Sequence, residues 1–126
     1  MKRGYSSVLI LVAGIGLAAS STIRAQQTPP GYVVFEVNVT DPATFKGYSA
    51  QVPATLAPYG GKYLVRFGKI TPVEGDPPRG NFGVIAFDSV EKAEAWENSQ
   101  AYEAIKPIRQ KSATSRIFIV QGAAAQ

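Results

Sequence analysis

The change from strand to helix that decides the fold lies in residues 32–45, YVVFEVNVTDPATF. Alternate residues from Val33 to Val39 are apolar, which is typical of a strand with one buried face. Asp41 is a suitable helix cap, and Pro42 stands at the first helical position, where its missing N–H costs nothing. The stretch therefore predicts a first strand that is followed directly by a helix.

The segments that follow predict the element order β-α-β-β-α-β. Apolar residues spaced by three or four continue the first helix to Tyr59, with a kink at Pro53, and Gly60 ends it. A helix with inward-facing Trp96 is predicted after the third strand. Asn98 and Ser99 end it, and a further helical segment with inward-facing Tyr102 follows. The remaining predicted segments are a second strand at 62–71, a loop at 72–80, a third strand at 81–87 and a final strand at 115–121. The order predicts an α+β, ferredoxin-like fold with one antiparallel sheet and helices on a single face.

Both faces of the predicted sheet are apolar. In the third strand Val84 faces one side and Ile85 the other, and in the fourth Phe118 opposes Ile119. Two helices cover only one side of a four-stranded sheet, so the other side would expose a larger apolar patch than soluble monomers usually tolerate. A second copy of the same sheet is the simplest cover, and we therefore expect a two-fold homodimer. Strict alternation in the second strand also predicts that one face carries Tyr63, Val65 and Phe67.

The first 25 residues have the three parts of a secretory signal peptide. Lys2 and Arg3 precede an apolar run of 12 residues at 8–19, and Ala25 is a small residue at the expected cleavage point. The run is shorter than the roughly 20 residues of a transmembrane helix, so no stable membrane insertion is expected after cleavage. Retention of the segment as an uncleaved anchor is the alternative. The predicted protein is exported, periplasmic or secreted, with a signal peptide at 1–25, a linker at 26–31, one domain at 32–122 and a tail at 123–126.

Composition excludes several kinds of chemistry. The 126-residue chain has no cysteine and no histidine, so it has no disulfide, no thiol nucleophile and none of the usual histidine ligands of zinc and haem. We therefore expect no metal site and no cofactor. The formal charge of +4 comes mostly from the targeting segment, because loss of Lys2, Arg3 and Arg24 leaves 10 basic residues against 9 acidic ones. No nucleic-acid partner is expected from so small a charge.

Several segments resemble the domain-of-unknown-function family 1330 (DUF1330). They are residues 59–66, YGGKYLVR, residues 84–89, VIAFDS, and the helical positions Trp96, Tyr102 and Arg109. Through this family the chain is similar to proteins of the dimeric α+β barrel kind. The resemblance implies a dimer of ferredoxin-like subunits with a cavity between sheet and helices. It implies no settled reaction, since relatives that share the barrel include monooxygenases, isomerases and haem-using enzymes.

A set of polar or amphipathic side chains is expected to converge on that cavity. Such groups can orient an aromatic or carboxylate-bearing ligand. The alternative is that they are core residues, with each tyrosine hydroxyl satisfied by a backbone partner. The candidate ligand-binding residues are Tyr48, Tyr59, Tyr63, Arg66, Trp96, Tyr102 and Arg109.

The charged residues in and beside the strands have two interpretations each. Arg66 interrupts an apolar strand, so its guanidinium needs a partner, which is either Glu36 or Glu74 across the dimer or a ligand anion. Arg116 is predicted to form a salt bridge, and Arg109 is predicted on a solvated helix face. Glu36 and Glu74 are the candidate general acids or bases in a chain without histidine, and surface or interface carboxylates are the alternative.

Two functions are compatible with these features. The first is a dimeric protein that binds a small apolar or aromatic ligand. The second is a cofactor-free enzyme, monooxygenase- or isomerase-like, in which Tyr or Glu assists proton transfer and Arg66 stabilises an enolate. A structural or assembly role without a ligand is a third possibility. A closed, ligand-sized cavity with a carboxylate favours the enzyme, a dry aromatic cavity favours binding, and a filled core favours the structural role.

Overall fold

The computed structural model describes residues 14, 16 and 28–124. Apart from Gly14 and Gly16, the predicted signal peptide lies outside the described residues. The same holds for residues 26–27 of the predicted linker and for the last two residues of the predicted tail. Within the described part of the chain, no helix has the length and apolar character needed to cross a membrane.

The domain is one four-stranded antiparallel sheet with helices on one face. Its elements are β1 (Gly31–Val39), α1 (Pro42–Ser49), α2 (Val52–Leu56), a 3-10 turn (Ala57–Tyr59), β2 (Lys62–Arg66), β3 (Asn81–Phe87), α3 (Val90–Glu97), α4 (Gln100–Ser112) and β4 (Ala113–Gln121). The strand order across the sheet is β2-β3-β1-β4. The predicted α+β, ferredoxin-like fold is confirmed. Strands β1 and β4 begin one and two residues earlier than predicted.

The decisive stretch folds as its pattern indicates. Alternate side chains of β1 are buried, and among them Val33 is 1% exposed. At the start of α1, Asp41 Oδ1 accepts a hydrogen bond from the backbone N–H of Thr44 at 3.2 Å, and its Oδ2 accepts one from the Thr44 hydroxyl at 2.6 Å. These bonds hold the pKa of Asp41 below its usual value, because they stabilise the ionised carboxylate.

The single kinked helix predicted after β1 is two helices. α1 ends at Ser49 and α2 begins at Val52, so the break precedes Pro53 instead of falling on it. Proline lacks the N–H that would bond to the carbonyl four residues earlier, here that of Ser49, and its ring crowds that carbonyl. Gly60, at φ 70°, ends the 3-10 turn as predicted.

A β-bulge in β2 overturns the predicted alternation of that strand. Tyr63 pairs with Ile85, but the next pair in register is Val65 with Val84, so Leu64 is the extra residue. A bulge of this kind moves the following side chains to the other face of the sheet. The prediction that Tyr63, Val65 and Phe67 share one face is therefore wrong for Val65, which lies on the outer face, whereas Tyr63 and Phe67 both face the helices.

Strand β2 is also shorter than the predicted segment at 62–71. It ends at Arg66, and Phe67 takes a left-handed conformation with φ 56°. The Phe67 N–H still donates to the Phe82 carbonyl at 3.0 Å, which holds this turn against β3. A phenylalanine at positive φ is rare because its Cβ crowds the backbone. The sequence therefore did not indicate that β2 ends at Arg66.

The outer face of the sheet, opposite the helices, is apolar as predicted. A row of four residues crosses all four strands in register, namely Val65, Val84, Val34 and Phe118. Phe118 is 51% exposed, and the neighbouring Val120 is 44% exposed. We call these five residues the outer apolar patch. The inner face packs against the helices and forms the core.

Candidate functional site

A cavity of about 30 Å³ lies between the inner face of the sheet and the helices. This volume holds about two or three water molecules, since a single water needs about 10–15 Å³ on the same measure. A cavity is therefore present at the expected place, but it is not of ligand size in this structure, because side chains fill most of the space. Its lining is Val33, Phe35, Val37, Phe45, Tyr48, Ser49, Val52, Tyr63, Arg66, Phe67, Ile85, Trp96, Tyr102 and Ile117.

Two buried tyrosines from different helices meet at the cavity. The hydroxyls of Tyr48 on α1 and Tyr102 on α4 are 2.7 Å apart and share a hydrogen bond. Burial raises the pKa of both phenols, since a phenolate would lose its hydration. The nearby Arg109 guanidinium partly offsets this increase. Both hydroxyls are therefore neutral at physiological pH and act as hydrogen-bond donors or acceptors, not as bases.

Arg109 is buried, which corrects the prediction that it lies on a solvated helix face. It is 9% exposed, and its guanidinium carbon is 5.9 Å from the centre of the Tyr48 ring. Its Nε is buried without a hydrogen-bond partner. No carboxylate among the described residues lies within salt-bridge distance of it. The helical spacing places Arg109 one turn after Ile105 and two turns after Tyr102, so it points inward with them.

Trp96 forms the rigid wall of the cavity. It is 2% exposed, and its Nε1 donates to the Thr55 hydroxyl at 3.0 Å. Its ring centre is 4.0 Å from that of Tyr102 and 5.7 Å from that of Phe87. Because this is the only tryptophan of the chain, its fluorescence reports on the cavity alone.

The mouth of the cavity is formed by residues at the end of β2. Arg66 and Phe67 line the cavity and are both exposed, and the Arg66 guanidinium stacks 4.7 Å from the centre of the Tyr63 ring. Phe67 packs edge-on against Phe35 at a ring-centre distance of 6.1 Å. The mouth is therefore closed by two side chains that little else holds in place.

The left-handed backbone of Phe67 gives a testable prediction. Glycine adopts positive φ without a Cβ clash, whereas alanine does not. We expect Phe67→Gly to be about 1 kcal/mol more stable than Phe67→Ala in urea unfolding. Both variants lose the ring contact with Phe35, so their difference isolates the backbone conformation. Equal stabilities, or a more stable alanine variant, would show that Phe67 does not hold φ 56° in solution.

The structure brings together most, but not all, of the predicted ligand-binding residues. Tyr59 packs against the edge of the core outside the cavity lining, and Arg109 lies behind the tyrosine pair. The candidate acids are both elsewhere, since Glu36 is on the outer face and Glu74 is in the exposed loop before β3. The predicted residues that do line the cavity are Tyr48, Tyr63, Arg66, Trp96 and Tyr102.

Glu36 is paired on the outer face of the sheet. Its two carboxylate oxygens accept hydrogen bonds from Arg116 Nη2 at 2.8 Å and from Arg116 Nε at 3.0 Å. The Arg116 guanidinium holds the pKa of Glu36 below its usual value and raises its own. The salt bridge predicted for Arg116 is confirmed. Within the chain Glu36 is therefore committed to Arg116 and separated from the cavity by the sheet.

Sequence reasoning missed the residues that close and shape the cavity. The Phe35 ring lies directly over Gly83 of β3, its partner in the register, because glycine leaves room there. A glycine inside a strand pattern is a signal of such close approach, and it could have indicated this contact. The roles of Ser49 and Phe67 follow from the helix break and the β-bulge, which had no comparable signal.

A family model described as a domain of unknown function, DUF1330, matches residues 30–123. No curated protein matches the chain significantly. Among solved structures, the chain is similar to RPA0582, a protein of unknown function from Rhodopseudomonas palustris, at 15% identity and a TM-score of 0.60, over 79% of this chain and 86% of the other.

Two further solved structures share the fold. SnoaB, a cofactor-independent oxygenase from Streptomyces nogalater, has 16% identity and a TM-score of 0.53, over 79% of this chain and 96% of the other. A conserved protein of unknown function from Bacteroides thetaiotaomicron, described as a possible oxidoreductase, has 15% identity and a TM-score of 0.50, over 75% and 98%. At these identities the similarity concerns the fold and not the activity.

Proposed function

The chain belongs to the DUF1330 family, and we propose that this member is an exported, homodimeric protein that binds a small apolar or aromatic ligand between its sheet and its helices. The observation that carries the proposal is the aromatic cavity with an exposed mouth. Trp96, Tyr102 and Tyr48 line its inner end, while Arg66 and Phe67 line its exposed end. Apolar walls with a few polar groups are typical of small-molecule sites.

Binding requires the mouth to open. An aromatic ring is larger than the present 30 Å³ cavity, so a ligand enters by displacing Phe67. This side chain is 41% exposed, it follows the last residue of a short edge strand, and its backbone is strained at φ 56°. A ligand ring that takes the place of the Phe67 ring would restore the edge-on contact with Phe35.

The chemistry of the cavity supports binding over proton abstraction. Among the described residues that line it, none is a carboxylate. Its tyrosines have raised pKa values, so a smaller fraction of each is present as phenolate at neutral pH than for a free phenol group. Enzyme chemistry that begins with removal of a substrate proton therefore lacks a base in this cavity.

The homodimer in the proposal is formed through the outer apolar patch. Phe118, Val120 and Val65 are each more than one-third exposed in the single chain. The twin subunit's patch is the partner surface with matching apolar character, and pairing of the two sheets would bury both. Export is proposed from residues 1–25 alone, and a mature chain that begins at Gln26 is the expected product.

The binding proposal is tested with the protein recovered after export and isopropylbenzene as an apolar aromatic probe. We expect saturable quenching or a spectral shift of Trp96 fluorescence, because the probe enters next to the only tryptophan. At a probe concentration 100 times Kd, binding should also stabilise the fold by about 2.7 kcal/mol and raise Tm by several degrees.

A pair of leucine variants on α1 provides the control for this experiment. Ser49 lines the cavity and is half-buried, so Ser49→Leu should fill the space and remove binding while the domain stays folded. Ala43 is exposed on the same helix, and Ala43→Leu should bind like the parent protein. Absence of a fluorescence response in the parent protein, or equal binding by both variants, contradicts the proposal and leaves a structural role.

A further inference from the structure

We propose that the ligand carries an anionic oxygen, as an aryl carboxylate does, and that this oxygen accepts a hydrogen bond from the Tyr48 and Tyr102 hydroxyl pair, with Arg109 as the positioning residue behind it. This inference rests on the proposed function and specifies the chemical class of the ligand. Two observations support it. Hydrogen-bond donors outnumber acceptors at the inner end of the cavity, and the unpaired charges around the cavity are positive.

The hydroxyl pair has one hydrogen more than it can use. Two tyrosine hydroxyls carry two hydrogens, and their mutual bond at 2.7 Å takes one of them. Among the described residues, no other group accepts a hydrogen bond from Tyr48 or Tyr102. The indole N–H of Trp96 adds nothing to this count, because it donates to Thr55. The second hydroxyl hydrogen is therefore left without an acceptor among the described residues.

Arg109 adds one further unpaired donor, its Nε, beside the pair. Its side chain is more than nine-tenths buried, and its Nε has no hydrogen-bond partner. Arginine has five N–H groups and no acceptor, so it cannot take the spare hydroxyl hydrogen. The positive charge of Arg109 lowers the pKa of both tyrosines. The same charge favours a negatively charged ligand group next to the hydroxyls.

The charges around the cavity are one-sided. Arg66 at the mouth and Arg109 at the inner end have no salt-bridge partner among the described residues. Glu97, whose charge acts on Tyr102, is bound to Lys106 through Oε1 at 3.0 Å, and its Oε2 is buried without a hydrogen-bond partner. Lys106 also binds Glu103 at 2.6 Å. An unpaired buried guanidinium is unfavourable, so an anionic ligand group would compensate Arg109 as no residue of the domain does.

The position of Arg109 makes its contribution indirect. It does not line the cavity itself, whereas both tyrosines do. A ligand oxygen at the inner end therefore touches a tyrosine hydroxyl, and Arg109 acts through that hydroxyl by orienting and polarising it. The aromatic ring of the ligand then lies along Trp96 and extends toward Phe67. In this orientation the ligand ring is at the mouth of the cavity and the ligand carboxylate is at the inner end.

Three single-ring probes of nearly the same shape test the inference, namely benzoate, acetophenone and isopropylbenzene. The first offers an anionic oxygen, the second a neutral acceptor oxygen and the third none. With Trp96 fluorescence as the readout, we expect benzoate to bind about tenfold or more tightly than isopropylbenzene, with acetophenone between them. In the double variant Tyr48→Phe/Tyr102→Phe this ratio should fall to about one, because phenylalanine cannot donate a hydrogen bond to the ligand oxygen.

Arginine variants separate positioning from structure. Arg109→Met keeps the volume and removes the charge, so we expect it to lose most of the preference for benzoate while Tm stays the same or rises. Arg109→Lys should keep part of the preference. Lys111→Met, exposed on the same helix, is the matched control and should keep all of it.

The outcomes distinguish the inference from the proposed function. If isopropylbenzene binds the parent protein as tightly as benzoate does, the proposed ligand-binding function is supported, but the inference that the ligand carries an anionic oxygen is wrong. If Arg66→Met abolishes the preference for benzoate and the double tyrosine variant keeps it, the acid lies at the mouth and the inference is overturned. If none of the three probes changes Trp96 fluorescence, the proposed function itself fails.

Discussion

Gly83→Ala is expected to destabilise the domain by about 3 kcal/mol and to abolish ligand binding. Gly83 faces Phe35 across the β1–β3 pair, and a Cβ at this position would overlap three atoms of the Phe35 ring. The ring is buried and packed edge-on against Tyr63 and Phe67, so it can move only into the cavity. Overpacking of this kind costs about 1–3 kcal/mol, and direct overlap with a buried ring belongs at the upper end.

The measurement for Gly83→Ala is urea unfolding, together with isopropylbenzene titration by Trp96 fluorescence. Gly47→Ala is the matched control, because its Cβ would meet no atom within 4 Å and lies on the exposed side of α1. Alanine is the better helix former, so this control should gain about 0.5–1 kcal/mol. Unchanged stability and binding of Gly83→Ala would show that Phe35 does not rest on Gly83.

Phe118→Asp is expected to convert the proposed homodimer into a folded monomer. Phe118 lies at the end of the apolar row on the outer face and is 51% exposed in the single chain. Its removal therefore costs the subunit little, whereas a carboxylate within the proposed sheet-to-sheet interface would be buried without a partner. We expect the dimer Kd to rise about 100-fold or more.

Sedimentation velocity over a range of protein concentrations checks this expectation. Ala104→Asp adds the same charge on the exposed side of α4, away from the outer face, and should sediment as the parent protein does. A monomeric parent protein at micromolar concentration would contradict the dimer. A Phe118→Asp protein that remains dimeric would place the interface elsewhere than the outer apolar patch.

The residue types of the candidate site were predictable, but their partners were not. Helical spacing indicated that Tyr48, Trp96 and Tyr102 point inward, because inward positions repeat every three or four residues. The same spacing places Arg109 inward, yet a charged residue near a helix end was predicted to be solvated. Its burial depends on α1 lying against α4, a contact that no local pattern in either helix contains.

For the two candidate acids, the sequence likewise predicted the position of each residue but not its partner. Glu36 alternates with Phe35 and Val37 in β1, so its place on the face opposite the helices follows from period two alone. Its pairing with Arg116 depends on the register between β1 and β4, which are far apart in the chain. Glu74 lies in a loop rich in proline and glycine, where composition predicts exposure but not a partner.

By itself the amino-acid sequence determined the element order, the helix start after Asp41, and the two apolar faces of the sheet. These depend on side-chain period and on capping chemistry, both of which act over a few residues. Only the tertiary structure decided the bulge after Tyr63, the left-handed Phe67 at the cavity mouth and the burial of Arg109 behind the tyrosines. Those features arise where distant segments compete for the same space, and the free energy of that packing is not contained in any one segment.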